Sequence, residues 1–372
     1  MKARVPKSID ILLLGLIVTL VVIGFLIFSS ASLGLLARGG ASFSNVTFGQ
    51  FFFGLIGGGI ALLITSNIYY RNWRQYALYI FIAAILATLA VFIPGVGMTF
   101  AGATRWIDIG FTTIQPSEFL KLAFVIYVAT LLSGTHKQIE SWRYGILPFL
   151  GVIGVVAAVM LSLPDTDTFL IMAGAGLAMF ITAGAKWRHI ILMAQAAVAV
   201  LAVVAFSRPY VMDRFTTFMN PENDPLGSGY QIQQSLIAVG SGGAFGRGYG
   251  QSIQKFEYLP EPIGDSIFAV YAEEFGFVGS VFLIGLLSFF TFRGFKIATE
   301  AEDLFGMLLV VGFMTLIVSQ AFLNIGAMLG VAPLAGLPLP FISHGGTALI
   351  AVMASMGIVL NVSKYRLAEK RS

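Results

Sequence analysis

Asp265 ends a proline-broken stretch, Tyr258-Leu259-Pro260-Glu261-Pro262-Ile263-Gly264, and opens an apolar run beginning Ser266-Ile267-Phe268. Two chemistries are open to a carboxylate in that position. It can cap the helix, accepting from the free N–H groups of the first turn. It can also serve, held rigidly at a membrane surface, as a general base toward a lipid-linked substrate. The two roles are compatible. Glu273 and Glu274 follow about 12 Å further along the same helix at 1.5 Å per residue. At 100° per residue Glu273 lies about 80° and Glu274 about 180° around from Asp265, so both cannot face one cavity with it. At least one is expected to pair with another helix or with Lys121, with a proton or cation pathway as the alternative.

Glu118 and Lys121 are three residues apart and share a helix face. Pro116 and Glu118 suit a first helical turn, because proline lacks only an unneeded N–H there and a carboxylate favours the positive helix end. The pair can tie helices together or line a wet cavity. Arg105, Arg247 and Lys255 fall in loops where a pyrophosphate could be bound, since guanidinium forks match phosphate oxygens; loop cations of this kind are more often merely solvated. The glycines of Gly240-Ser241-Gly242-Gly243 and of the 246–250 stretch could form anion-binding backbone nests. There is no Walker A pattern, G-x-S-x-G elbow or H-E-x-x-H, so ATP-driven pumping, serine-hydrolase and zincin chemistry lack sequence support. With no cysteine and with His136, His189 and His344 far apart, thiolate catalysis is excluded and a histidine zinc site is disfavoured.

The elements that must position these residues are membrane helices. Mean hydropathy is +0.88 and only 11% of the 372 residues are charged, against about 25% in a soluble domain. That excludes a soluble enzyme, a nucleic-acid-binding domain and a disordered chain. Met1 to Asp10, with Lys2, Arg4 and Lys7, leads into an apolar run without a clear cleavage pattern, which predicts a retained first helix. Further apolar runs fall at about 49–66, 76–93, 117–133, 145–163, 168–184, 190–206, 267–291, 305–330 and 346–362. The expected fold is therefore an all-α integral membrane protein of ten transmembrane helices, a single domain over residues 1–372. Of the 22 lysines and arginines, fifteen lie on the side of the N-terminus, six on the other, and Lys121 alone inside a span. By the positive-inside rule both termini are cytoplasmic. The other face holds a long extracytoplasmic loop between helices 7 and 8, residues 207–265, with 5 of the 13 prolines. Long loops of this kind are functional or disordered, and this one stays aromatic and aliphatic. Within it Ile232, Leu236 and Val239 recur at helical spacing opposite Gln231, Gln233, Gln234 and Ser235, predicting a short interfacial helix. Two more outer segments stand out: residues 94–115, with Arg105 and Asp108, and the uncharged 331–346, with Pro333, Pro338 and Pro340 before Ser343-His344-Gly345-Gly346.

These motifs resemble the SEDS family of bacterial shape, elongation, division and sporulation proteins, the FtsW, RodA and SpoVE group. The resemblance is carried by Asn324, Gly330, Pro333, Gly336, Pro340-Phe341-Ile342-Ser343 and Gly345-Gly346, by Ala103-Thr104-Arg105-Trp106-Ile107, and by Gln115-Pro116-Ser117-Glu118-Phe119-Leu120-Lys121. Asp224-Pro225-Leu226-Gly227-Ser228-Gly229-Tyr230-Gln231 and Tyr258-Leu259-Pro260-Glu261 leading to Asp265 complete it, in similar order over nearly the whole chain. Gln254-Lys255 before Tyr258 looks more like the division and sporulation branch than the elongation branch, leaning to division.

The resemblance implies a peptidoglycan glycosyltransferase of the bacterial cytoplasmic membrane. It would polymerise lipid II at the outer face onto an undecaprenyl-pyrophosphate-linked glycan, working with a class B penicillin-binding protein and other division proteins. The family's essential aspartate matches Asp265, its arginine of the first large outer loop Arg105, and its glutamate and lysine of span four Glu118 and Lys121. In that mechanism Asp265 takes the proton of the acceptor's 4-hydroxyl as it attacks the anomeric carbon, with inversion. Arg105, Glu118, Lys121, Arg247 or Lys255, with Ser343 from the signature segment, would meet substrate, and a divalent cation, Mg2+ or Mn2+, could join the cations at the leaving pyrophosphate. Three positions depart from the pattern: Gly264 where threonine is usual, His344 where tyrosine is usual, and Asp167 where glycine is usual. His344 is expected to substitute for a packing aromatic. The competing readings are a lipid II flippase and a non-catalytic division scaffold. The clustering of distinctive segments on one side and the lack of related halves speak mildly against transport.

Overall fold

The structure is a computed structural model that describes residues 8–38, 43–100, 103–110, 113–193, 195, 197, 209–224 and 227–366. Its long helices are α1 (Ile11–Ser32), α2 (Val46–Asn67), α3 (Asn72–Leu89), α4 (Pro116–Gly134), α5 (Leu147–Ser162) and α6 (Thr166–Thr182). They continue with α7 (Pro209–Met219), α8 (Ser228–Ser241), α9 (Ile267–Glu300), α10 (Leu304–Met328) and α11 (Gly346–Lys364). Among the described residues eight helices are long and apolar enough to cross a membrane, α1 to α5 and α9 to α11, and α6 is a shorter apolar one. This is a multi-pass membrane protein. The expected seventh span, 190–206, lies for the most part outside the described residues.

Local chemistry sets the helix starts. Asp10 caps α1 through a bond from Leu13 N–H at 2.8 Å, and Asp303 caps α10 from Gly306 N–H at 2.8 Å. Pro116 opens α4, where its fixed φ suits the first turn. α10 packs on α4, α6, α9 and α11, and α11 runs along α2, so α10 and α11 form the buried centre. α3 and α9 instead expose Tyr79, Leu86, Phe277, Phe282 and Phe292, apolar surface that lipid covers.

Asp10 also ties the chain ends together. Its carboxylate accepts from Arg366 and, at 2.5 Å, from Arg293, while its backbone N–H donates to Ser363 Oγ at 3.0 Å. The start of α1, the end of α11 and the last turns of α9 therefore meet at one end of the bundle. Asp265, at the opposite end of α9, marks the other.

α9 is broken. At Gly276 the backbone adopts φ 66°, ψ −163°, and a Cβ there would sit 2.3 Å from Gly246 N, so no other residue fits. The freed carbonyls of Glu273 and Glu274 accept from the N–H groups of Arg247 and Gly248, both at 3.0 Å. Beyond the break Phe277 and Val278 N–H donate to Gly243 and Ala244 carbonyls at 2.9 and 3.0 Å. The glycine-rich segment thus repairs a helix interruption by pairing its own backbone with the exposed ends.

Within residues 94–115 lies a small antiparallel sheet, β1 (Gly97–Phe100), β2 (Ala103–Asp108) and β3 (Thr113–Ile114), in the order β1-β2-β3. Helical periodicity does not reveal it, because the strands are short and set among glycines. The short helix expected around Ile232 is α8, but its faces differ from the expectation: Ser235 packs inward with Ile232 and Ala238, while Leu236 is exposed.

Candidate active site

Asp265 does not cap α9. Ser266 occupies the cap position and no side-chain cap bond is made there. Instead the backbone around Asp265 is clamped while its carboxylate is left for other work. Asn324 Nδ2 donates to the Asp265 carbonyl at 2.7 Å and to that of Leu337 at 2.9 Å. Ser343 Oγ donates to Gly264 O at 2.7 Å and accepts from Leu339 N–H at 2.8 Å, and His344 N–H donates to Ile263 O at 2.7 Å. Gln231 of α8 reaches Ser266 Oγ at 3.0 Å. Ser343, expected at the substrate, therefore sits behind Asp265 with its hydroxyl engaged. His344 stacks on Phe28 with ring centroids 5.8 Å apart, the packing role expected of it.

Charged groups from four segments surround the half-buried carboxylate. Glu261 lies in its own loop, Asp167 in the first turn of α6, Arg214 on α7 and Arg105 on β2. Burial first, then the negative charges of Glu261 and Asp167, push the Asp265 carboxyl up to about 7, against the pull of Arg214 and Arg105. Asp265 takes part in no salt bridge among the described residues. A Cβ placed on Gly336 would sit 3.7 Å from Asp265 Oδ2 and 3.8 Å from Arg214 Nη2, so carboxylate and guanidinium look onto one space above that glycine. Arg105 reaches the site through the turn before α6. It donates from Nε to Leu163 O at 3.2 Å and from Nη2 to Pro164 O, and its Nη1 lies 3.7 Å from Asp165 Oδ1. Asp165 in turn caps α6 from Thr168 N–H. The Asp265 loop, α6, α7 and β2 are thus keyed to one another.

The other expected site residues lie elsewhere. Lys121 Nζ contacts Glu118 Oε1 at 2.9 Å and Gln320 Oε1 at 3.0 Å, and Gln320 Nε2 donates to Pro338 O at 2.7 Å. Gln320 and Asn324, four residues apart on α10, connect this pair to the 337–338 segment and to Asp265. A cavity of about 20 Å³ beside Glu118, Lys121, Gln320 and Ser355 has room for one water, and Glu118 Oε2 has no other partner among the described residues. Lys255 is wholly buried, its ammonium on Glu274 Oε1 at 2.7 Å, Ser30 Oγ at 3.0 Å and Gly250 O at 2.9 Å. Arg247 Nε lies 3.4 Å from Glu273 Oε1, and Glu273 also accepts from Ser252 Oγ at 2.5 Å and Ile253 N–H at 3.1 Å. Arg247 and Lys255 are thus drawn to the break in α9 rather than to Asp265. Glu274 finds its partner helix in α1, through Ser30, and not in Lys121.

No three acidic, histidine or cysteine side chains converge as a metal-ligand set among the described residues. Asp167, the carboxylate across from Asp265, is taken by Arg214. The described residues do not form a protein cage for Mg2+ or Mn2+. Sequence reasoning missed Arg214, Asp167, Asn324 and Gly336 as site residues. For Asn324 and Gly336 the available signal was their place in the signature segment.

The family model of the cell cycle proteins FtsW, RodA and SpoVE matches residues 10–368. The chain belongs to this family. Within it, the chain is 41% identical to stage V sporulation protein E of Bacillus subtilis over 83% of this chain and 84% of that one. It is 34% identical to the probable peptidoglycan glycosyltransferase FtsW of Trichlorobacter lovleyi over 95% and 93% of the two chains. The fold superposes on a chain of a peptidoglycan synthase complex that coordinates polymerization and crosslinking, with TM-score 0.80 and 27% identity over 96% and 98% of the chains. It also superposes on the rod shape determining protein RodA of Thermus thermophilus, with TM-score 0.70 and 26% identity over 97% and 99%. The cell cycle family and the SEDS resemblance read from the sequence are the same group.

Proposed function

We propose that this protein is a peptidoglycan glycosyltransferase that polymerises lipid II at the outer face of the cytoplasmic membrane, serving division or sporulation, with both termini in the cytoplasm. The observation that carries the reading is the Asp265 carboxylate: its backbone is clamped, its oxygens enter no ion pair among the described residues, and with the Arg214 guanidinium it borders the position a Cβ on Gly336 would take. A sugar hydroxyl is a poor nucleophile at neutral pH, and a base whose pKa lies near 7 suits the proton transfer. Asp265 removes the proton of the acceptor GlcNAc 4-hydroxyl as that oxygen attacks the anomeric carbon of the donor MurNAc. The bond to undecaprenyl pyrophosphate breaks on the opposite side, so configuration inverts. Arg214, with Arg105 behind it, stabilises the charge that grows on the pyrophosphate.

The relation to a chain from a peptidoglycan synthase complex supports a class B penicillin-binding protein as partner. The test is polymerisation of purified lipid II by the full chain with and without its penicillin-binding protein. Wild type should make glycan and Asp265→Asn none. Movement of lipid II across a bilayer without polymer would favour transport, and loss of partner binding alone would favour a scaffold.

A further inference from the structure

Asp167 lies in the first turn of α6, two residues after the capping Asp165. A carboxylate there ordinarily serves the free N–H groups of its own helix. This one spends a single oxygen elsewhere: Oδ2 accepts from the Arg214 guanidinium on α7 and from the backbone N–H of Gly336 at 3.2 Å. Both of its partners border the space in front of Asp265, since the Gly336 Cβ direction meets Asp265 Oδ2 and Arg214 Nη2 at 3.7 and 3.8 Å. One oxygen thus fixes the wall opposite Asp265 and the floor between them. Asp167 is only partly exposed, 15% by its side chain, as a group held inside a site would be.

We propose that Asp167 is a positioning residue: it holds Arg214 across from Asp265, where the guanidinium meets the diphosphate of a lipid-linked saccharide, and it pins Gly336 so that the space between them stays open. This rests on the reading of Asp265 as the base. The groups facing Asp265 are Glu261 of its own loop, Asp167 of α6, Arg214 of α7 and Arg105 of β2. Asp167 and Arg214 act on it with opposite signs, and that gives a signature a purely structural role lacks.

The experiment titrates Asp265 directly by infrared difference spectroscopy of full-length protein carrying 13C-labelled aspartate, the Asp265 band being the one absent in Asp265→Asn. In Asp167→Asn the midpoint should fall by on the order of half to one pH unit, because a negative charge is lost and the released guanidinium turns to Asp265. In Arg214→Gln it should rise by a similar amount. In parallel, the KM for lipid II should increase roughly tenfold, the loss of one charge-assisted contact, in both variants and recover in Asp167→Glu. Midpoints that do not move, or that move the same way in both variants, would overturn the proposal even if both proteins unfold at lower temperature. Undiminished polymerisation by Asp265→Asn would instead defeat the assignment of the base, an outcome the titration separates from this one.

Discussion

Lys255 and Glu274 provide the sharpest test of how the loop before α9 is built. Their side chains are 0% and 1% exposed and 2.7 Å apart, with Ser30 of α1 bridging them. Removing one partner of such a pair strands the other charge and costs about 3–5 kcal/mol, whereas removing both leaves only a hydroxyl and a carbonyl short of a partner, about 1 kcal/mol each. Lys255→Met and Glu274→Leu should therefore each lower the unfolding midpoint in detergent, followed by tryptophan fluorescence, by roughly 6–20 °C at about 2–4 °C per kcal/mol. The double variant Lys255→Met/Glu274→Leu should recover roughly a third to 60% of that. It should also recover lipid II polymerisation, because Lys255 then acts only through the fold. Single variants within about 1 kcal/mol of wild type would refute the stability argument. A double variant that is stable yet inactive would return Lys255 to the substrate.

Gly276→Ala places a Cβ 2.3 Å from Gly246 N in a backbone conformation that glycine alone tolerates, so it should cost about 2 kcal/mol or more and raise amide exchange in 243–248. Asp265→Asn should stabilise the protein while inactivating it. Its carboxyl is raised from 3.8 to about 7 in the fold, so native stability falls as pH rises between those values, and the variant escapes that penalty. Allowing for partial solvation, the gain should reach about 1–2 kcal/mol above pH 7 and vanish below pH 4 in thermal scans. Asp10 behaves in the opposite sense. Burial alone would raise its carboxyl, but bonds from Arg293, Leu13 N–H and Arg366 outweigh it and hold it below 3.8. Its contribution is present above that value and lost as pH falls through the lower folded one. Asp10→Asn should thus lower the stability at pH 7 by about 2–3 kcal/mol, and the gap should close under acid. Gly336→Leu should fill the space before Asp265 and abolish lipid II binding with the unfolding midpoint little changed.

The membrane helices were legible because a lipid-spanning segment must satisfy its own backbone, which leaves long apolar runs separated by charged turns. Asp265 was legible by its place at a loop end, but its capping role was not realised, since the chain starts the helix one residue later and clamps Asp265 by its carbonyl. Lys255 read as a loop cation because its burial depends on the break at Gly276, a tertiary event in which the loop folds into the gap. The Asp167–Arg214 pair was hidden for a related reason. The two residues are 47 positions apart, and only the tertiary placement of α7 beside the start of α6 brings them together.

Initial rates of lipid II polymerisation by the full chain with its penicillin-binding protein, measured from pH 5.5 to 8.5 for wild type and Asp265→Asn, test the assignment of the base most directly. The expected result is a wild-type rate that climbs through about pH 7 to a plateau and a variant that makes no glycan at any pH. A variant that polymerises at the wild-type rate, or a wild-type profile that is flat across the range, would contradict it.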